Sequence, residues 1–146
     1  MSSLQKHNIP SFKLHNGKVI PLTLSYQVFG KQLHEAPVVL VNHSLTGNSN
    51  VSGEEGWWSD IIGPKKMIDT EVYSVIAFNF PGNGFDDSFL TSYKDWILSD
   101  ISEAFKVVLD ELGVSELFAA IGGSIGGALA WEMAVSHPNF IRNVIP

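Results

Sequence analysis

Leu117-Phe118-Ala119-Ala120-Ile121-Gly122-Gly123-Ser124-Ile125-Gly126-Gly127 is the stretch that decides the fold. Its first five residues form a short apolar run of the kind that makes a strand buried on both faces of a parallel sheet. The residues that follow, Ala128 to Ser136, suit a helix, and His137-Pro138 stops it because proline disfavours helical backbone in the residue before it. Between strand and helix lies Gly-x-Ser-x-Gly, centred on Ser124. A serine on a sharp strand-to-helix turn adopts a strained backbone that holds its hydroxyl up, and glycines beside it prevent collisions where strand and helix nearly touch. The pattern alone is weak, since glycine and serine are common; its flanking elements give it weight. The bland alternative is a glycine-rich turn that closes a loop or cradles a phosphate.

Working outward, Val38-Val39-Leu40-Val41 and Tyr73 to Phe78 have the unbroken, β-branched apolar character of buried strands, and they read as parallel. Upstream, Phe12 to Leu14, a turn at Asn16-Gly17 and Val19 to Phe29 predict an antiparallel hairpin in which Leu22, Leu24 and Tyr26 alternate. Gly30 to Pro37 is a polar connection. Ser92, three residues before Asp95, resembles a capping box, and Ile97, Ile101, Phe105, Val108 and Leu112 then recur at helical spacing until Gly113. Phe140 to Ile145 begins another strand. The order predicts an α/β fold over residues 1–146: one domain, a mostly parallel sheet after an N-terminal antiparallel hairpin, unfinished at its C-terminal side. A sheet ending at Val144-Ile145 leaves an apolar edge uncovered.

Composition excludes several function classes. The 146 residues are 45% hydrophobic and 16% charged, ordinary for a soluble globular domain, and the net charge of −6 comes without a basic cluster that would attract nucleic acid. There is no cysteine, hence no disulfide, thiolate metal site or cysteine nucleophile. Residues 1–8 lack the apolar stretch of a secretory signal and no run approaches membrane-spanning length, so a cytoplasmic protein without membrane association is expected.

About 30 residues separate the two buried strands, a length unusual for a structureless loop. With the Trp57-Trp58 pair, this segment is expected to shape a site.

Serine at its own pKa is a poor nucleophile and needs a base, usually histidine oriented by a carboxylate. After Ser124 only Glu132 and His137 remain as an acid and a histidine, and at 1.5 Å rise per residue His137 lies roughly 20 Å from Ser124 along the helix. His7, His15 and His34 are scattered surface histidines without metal-ligand spacing. His43 directly follows a buried strand, in Asn42-His43-Ser44-Leu45-Thr46-Gly47, and is expected to shape that loop. Backbone N–H groups of Ile125 and of Leu45 are the candidate oxyanion donors. Asp86, Asp87 and Asp100 read as solvated turn and helix residues.

Taken together, Val39-Leu40-Val41-Asn42-His43-Ser44-Leu45-Thr46-Gly47, Gly56-Trp57-Trp58 with Ile62-Gly63-Pro64, Ile68-Asp69-Thr70 and Gly122-Gly123-Ser124-Ile125-Gly126-Gly127 resemble the homoserine O-acetyltransferase family of the α/β-hydrolase superfamily, over about residues 20 to 145. The resemblance implies that a serine takes an acetyl or succinyl group from a coenzyme A ester and passes it to the hydroxyl of homoserine, a step of methionine biosynthesis. By motif, Ser124 becomes the nucleophile and Leu45 and Ile125 the oxyanion hole. The triad acid and histidine, the lid and the remaining sheet are expected beyond Pro146. A small-molecule substrate, acyl-CoA as cosubstrate and no tightly bound cofactor follow. One segment departs from the family: Phe78-Asn79-Phe80-Pro81-Gly82-Asn83-Gly84 carries a Pro-Gly-x-Gly more like a general α/β-hydrolase. Two alternatives therefore stand beside the transferase. One is an esterase-type hydrolase of a small acyl ester; the other is an inactive fragment that forms a homodimer or pairs with a missing half.

Overall fold

Val38 to Asn42 are buried without exception, as are Ser74 to Phe78, and these two strands form the middle of the molecule. In the computed structural model, which describes residues 2–146, the strands are β1 (Gln5–Lys13), β2 (Val19–Gly30), β3 (Val38–Asn42), β4 (Ile62–Gly63), β5 (Ile68–Asp69), β6 (Ser74–Phe78), β7 (Leu117–Gly122) and β8 (Ile141–Ile145). The helices are α1 (Leu98–Glu111) and α2 (Ile125–Ser136). Six strands make one sheet in the order β1-β2-β6-β3-β7-β8. The β1-β2 and β2-β6 pairs are antiparallel, and β6-β3, β3-β7 and β7-β8 are parallel.

Side-chain alternation gives this sheet two apolar faces, and different layers cover them. Val38 and Leu40 of β3, with Ile76 and Phe78 of β6, join Phe105, Leu109, Leu129 and Met133 of the two helices. Phe78 stacks on Phe105 with ring centroids 4.5 Å apart. Val39 and Val41, with Val75 and Ala77, face the other way and meet Val51, Ile62 and Ile68. The long β3–β6 connection is thus the second covering layer of the sheet, its apolar residues replacing the helix that usually makes such a crossover. The small parallel pair β4-β5 gives it internal order.

The hairpin extends further toward the N-terminus than Phe12, because β1 begins at Gln5. This polar strand is an edge strand, and a register irregularity between Ile9 and Phe12 puts both on the buried side three positions apart, hiding the alternation. Pro10 falls within that irregularity, where a missing N–H is tolerated. On β2, Leu22, Leu24 and Tyr26 are all buried, as their alternation predicts. β7 is less enclosed than its apolar sequence suggests: Phe118 is exposed and Ile121 partly so. Among the described residues β8 pairs with β7 alone, and Ile145 on it is exposed.

α1 starts later than the Ser92 signal implied. Residues Tyr93–Asp95 form one turn of 3-10 helix, Ser92 makes no side-chain cap, and the helix proper begins at Leu98. Its cap is Asp100, whose carboxylate accepts the N–H of Ile97 at 3.0 Å. The other end is as expected: Gly113, at φ +74°, lets Val114 N–H reach Leu109 O and Gly113 N–H reach Asp110 O.

Asp100 and Asp86 are not solvated, contrary to the sequence expectation; only Asp87 of the three is exposed. Asp100 also accepts the backbone N–H of His15 at 2.7 Å and contacts its Nδ1 at 2.8 Å, tying the hairpin to α1. Burial disfavours its charge, but these hydrogen bonds outweigh that and hold its pKa below the ordinary 3.8. Asp86 is drawn in by hydrogen bonds from the Ser88 N–H and hydroxyl.

Asp100→Ala should destabilise the protein by about 3 kcal/mol at pH 7, since two backbone donors and an imidazole lose their acceptor. The sign with pH is fixed by the lowered pKa: the contribution is complete above pH 3.8 and lost as pH falls through the folded value. Urea unfolding of both proteins checks this, with a gap that is constant above pH 3.8 and closes below it.

Candidate active site

Strand order sets where a ligand can approach. From β3 the chain moves to one neighbour, β6, then crosses back through α1 to the other neighbour, β7. Such a reversal leaves a crevice beyond the carboxyl ends of the two strands that flank it. Asn42-His43-Ser44-Leu45 leaves β3 there, and Gly123-Ser124 leaves β7.

Ser124 has φ 58° and ψ −126°, a backbone that non-glycine residues rarely adopt and that costs on the order of 1–3 kcal/mol. It is the residue between β7 and α2, and it is exposed. The strain persists because the parts on either side are wedged together. A Cβ at Gly122 would stand 2.5 Å from Gly126 O, and one at Gly126 would stand 2.7 Å from His43 O and nearer still to Asn42 O. A Cβ at Gly123 would meet nothing within 4 Å. The two outer glycines of the motif are thus demanded by close packing, and Gly123 is not. The Asn42 side chain adds a hydrogen bond, Nδ2 to Gly126 O at 3.3 Å.

The first turn of α2 explains the Ile125 N–H. Gly126 N–H bonds Gly123 O and Gly127 N–H bonds Ser124 O, each at 3.0 Å, while Ile125 N–H has no partner among the described residues. A free amide at the positive end of a helix suits an anion, and no acidic residue occupies this first turn. Leu45 is a central residue of a turn closed by Gly47 N–H to Ser44 O at 2.9 Å, which leaves the Leu45 N–H unpartnered among the described residues as well.

His43 shapes the loop and has no capacity left for base chemistry. It is fully buried; Nδ1–H donates to Ser44 O at 2.6 Å, and Nε2 accepts the Phe80 N–H at 3.1 Å. Its ring packs on Phe80 with centroids 4.1 Å apart. Burial pushes its pKa below 6.5, partly opposed by the Ser44 carbonyl. The remaining histidines face carboxylates elsewhere or solvent: His7 contacts Glu111, His15 contacts Asp100, His137 faces Glu103 at 3.5 Å, and His34 is exposed. None is hydrogen-bonded to Ser124.

Sequence reasoning missed the buried polar group behind the loop. Ser25, Gln27, Ser49 and Asn79 are all buried and hydrogen-bonded to one another. Single polar residues in apolar or loop surroundings gave no periodic signal that would have joined them.

Gly126→Ala should lower the melting temperature by more than 10 °C or prevent folding, whereas Gly123→Ala should leave it within a few degrees. Ser124→Gly should raise stability by about 1 kcal/mol by relieving the positive φ, an effect absent from Ser124→Ala. In an NMR titration, the His43 ring should protonate below 6.5. Because the folded state resists this proton, the His43 contribution to stability is complete above pH 6.5 and is lost as pH falls below it.

Comparison with known proteins agrees with this geometry. Residues 37–145 match the model of the alpha/beta hydrolase fold. Homoserine O-acetyltransferase from Haloarcula marismortui is 33% identical over 97% of the chain and 41% of its own length, so the chain spans about two-fifths of that relative. Among solved structures, esterase E22 superposes with a TM-score of 0.86 at 26% identity, covering 99% of the chain and 46% of the esterase. Homoserine O-acetyltransferase from Staphylococcus aureus gives 0.80 at 28% identity, covering 97% of the chain and 45% of that enzyme. No helix of the described residues is long and apolar enough to cross a membrane. With its sheet order, its strained serine between β7 and α2 and this match over residues 37–145, the chain belongs to the alpha/beta hydrolase fold family.

Proposed function

We propose that residues 1–146 form the nucleophile and oxyanion-hole part of a serine acyltransferase, with Ser124 as the nucleophile and the N–H groups of Leu45 and Ile125 as oxyanion donors. The observation that carries this is the backbone of Ser124, held at φ 58° between β7 and α2 with the unpartnered Ile125 N–H next to it. Ser124 Oγ attacks the thioester carbonyl of an acyl-CoA, its proton passing to a base, and the carbonyl oxygen becomes an anion received by the two amides. Collapse expels the coenzyme A thiolate, which takes up a proton. The hydroxyl of a small hydroxy amino acid, homoserine in the first instance, then attacks the acyl-serine, its proton passing through the base to Ser124 Oγ as the acyl–Oγ bond breaks, which releases the O-acyl product and restores Ser124. Such a reaction belongs to methionine biosynthesis and to a cytoplasmic enzyme; acyl-CoA is a cosubstrate, and no tightly bound cofactor takes part. Similarity to homoserine O-acetyltransferases over 86–99% of the chain supports the choice of donor and acceptor.

The base and its orienting acid are assigned to residues outside 1–146, because His43 is sequestered and no other histidine contacts Ser124. Ser124 also stands exposed rather than in an enclosed pocket. Excluding water, which an acyltransferase needs so that an alcohol and not water accepts the acyl group, is assigned in this proposal to the same residues outside 1–146.

A specific observation favours a second reading. Esterase E22 superposes at a TM-score of 0.86, and Pro81-Gly82-Asn83-Gly84 follows β6 as in general hydrolases, so water is the competing acceptor. The lack of a base within these residues favours a third, an inactive chain that associates with itself or with a separate complementary half.

Thiol release from acetyl-CoA, followed with and without L-homoserine, separates the three once the acid and histidine are supplied by a complementing C-terminal segment of a homoserine O-acetyltransferase. Homoserine stimulation that disappears in Ser124→Ala supports the transferase. Ser124-dependent acyl-ester cleavage indifferent to homoserine replaces it with the esterase, and no Ser124-dependent turnover leaves the inactive chain. Residues 1–146 alone should cleave an acetyl ester equally with and without Ser124→Ala; an ordinary enzymatic rate lost in that variant would show that the base lies within them.

A further inference from the structure

The loop that carries Leu45 has its own support, and the structure assigns it to one side chain: we propose that Asn79 is the positioning residue of the oxyanion loop, fixing Ser44 to Asn50 through its amide. The inference rests on the reading of Leu45 as an oxyanion donor for its catalytic meaning, but not for its structural content.

Asn79 directly follows β6 and is 2% exposed. An asparagine amide offers two donor hydrogens and two acceptor sites, and all four are used here. Oδ1 accepts the Ser49 backbone N–H at 2.8 Å and the Asn83 Nδ2 at 3.1 Å. Nδ2 donates to Ser25 Oγ at 2.9 Å and to Ser49 Oγ at 3.0 Å. One side chain therefore joins β2, the loop after β3 and the loop after β6. The joint is extended on both sides. Ser49 Oγ donates to Gln27 Oε1 at 2.8 Å, and Asn83 Nδ2 also reaches Gly47 O at 3.3 Å.

The consequence for Leu45 is geometric. Its turn, Ser44 to Gly47, makes one internal hydrogen bond, so the aim of the Leu45 N–H depends on what holds the turn at each end. At the entrance, His43 grips Phe80 N–H; at the exit, Asn79 grips Ser49 N–H and, through Asn83, Gly47 O. Both grips lead to residues 79–83, so the loop after β6 is the reference against which the donor is set. A further bond, Trp57 Nε1–H to Asn48 O at 2.9 Å, braces the same segment from the outside, where Trp57 is exposed. A buried, fully satisfied network is stiff, and losing one member leaves others unpaired, which is what makes it suitable for holding an amide to a fixed direction.

Three variants of the full chain test the assignment. Asn79→Ala removes both acceptor and donors; Asn79→Asp keeps the acceptor for the Ser49 N–H; Ser49→Ala removes only the hydroxyl branch. The first readout is backbone amide exchange and relaxation by NMR. Asn79→Ala should speed exchange of the Ser49 amide on the order of tenfold to a hundredfold and make amides 44–50 mobile relative to β3, while Asn79→Asp restores most of the protection. Ser49→Ala should keep it. Should Asn79→Ala fold poorly, Asn79→Asp against Ser49→Ala still decides, because greater loss of Ser49 protection in Asn79→Asp than in Ser49→Ala overturns the role of the acceptor.

The second readout uses methaneboronic acid. In the chain complemented with the C-terminal segment of a homoserine O-acetyltransferase, its boron accepts Ser124 Oγ, the hydroxyl proton passes to the supplied histidine, and the tetrahedral boronate presents an oxygen to the Leu45 and Ile125 amides. Asn79→Ala should weaken this adduct about tenfold, with the Leu45 amide shift lost and the Ile125 shift kept, and Asn79→Asp should recover the affinity and the Leu45 shift. Equal exchange and equal loop mobility in wild type and Asn79→Ala overturn the proposal. If the wild type forms no adduct, the nucleophile reading fails while the exchange data still judge Asn79.

Discussion

The rest of the structure depends on one close approach: the backbone of Gly126, at the start of α2, lies against the carbonyls of Asn42 and His43 at the end of β3. Nothing larger than a hydrogen fits between them. That contact anchors the helix on the sheet and forces the chain to turn within Gly123 and Ser124, so that Ser124 takes a backbone it would not choose alone. It also brings the first free amide of α2 to the same end of the sheet as the turn after β3. The strained Ser124 backbone and the open amide at the start of α2 are consequences of how a strand and a helix are pressed together.

Residues after β3 and β6 carry the second constraint. Both leave the sheet at its carboxyl end, and there His43 and Asn79 convert loop backbone into rigid scaffold by satisfying buried N–H groups. The two use different chemistry for the same end. His43 must stay neutral, because one ring nitrogen donates and the other accepts, whereas Asn79 spans three elements with an amide that cannot titrate. Loops of this kind can hold a precise geometry while surface loops of equal length cannot.

Much of this was legible in the sequence wherever the signal was local. The Gly-x-Ser-x-Gly turn, the unbroken apolar runs of β3 and β6 and the Leu22-Leu24-Tyr26 alternation each follow from neighbours within a few residues. What was not legible came from partners distant along the chain. Asp100 looks like a helix-surface carboxylate until His15 comes to meet it across the hairpin. β1 hides its alternation behind the irregularity between Ile9 and Phe12. The long segment after β3 reads as a loop because its apolar residues are spaced to fit the sheet they cover, not to fit each other. Of the candidate site, Ser124 and Ile125 were readable from one motif, Leu45 only from position after a strand, and Asn79 not at all.

The central claim, a proposal, is that Ser124 is the nucleophile and that Leu45 and Ile125 are its oxyanion donors. Titration of the 15N-labelled chain, complemented with the C-terminal segment of a homoserine O-acetyltransferase that supplies the base, with methaneboronic acid tests it most directly, because the boron adds to Ser124 Oγ as the supplied histidine takes the hydroxyl proton. The account predicts a tetrahedral boronate on Ser124 with shifts at the Leu45 and Ile125 amides, all abolished in Ser124→Ala. A boronate that leaves both amides unmoved, or none at all, would contradict it.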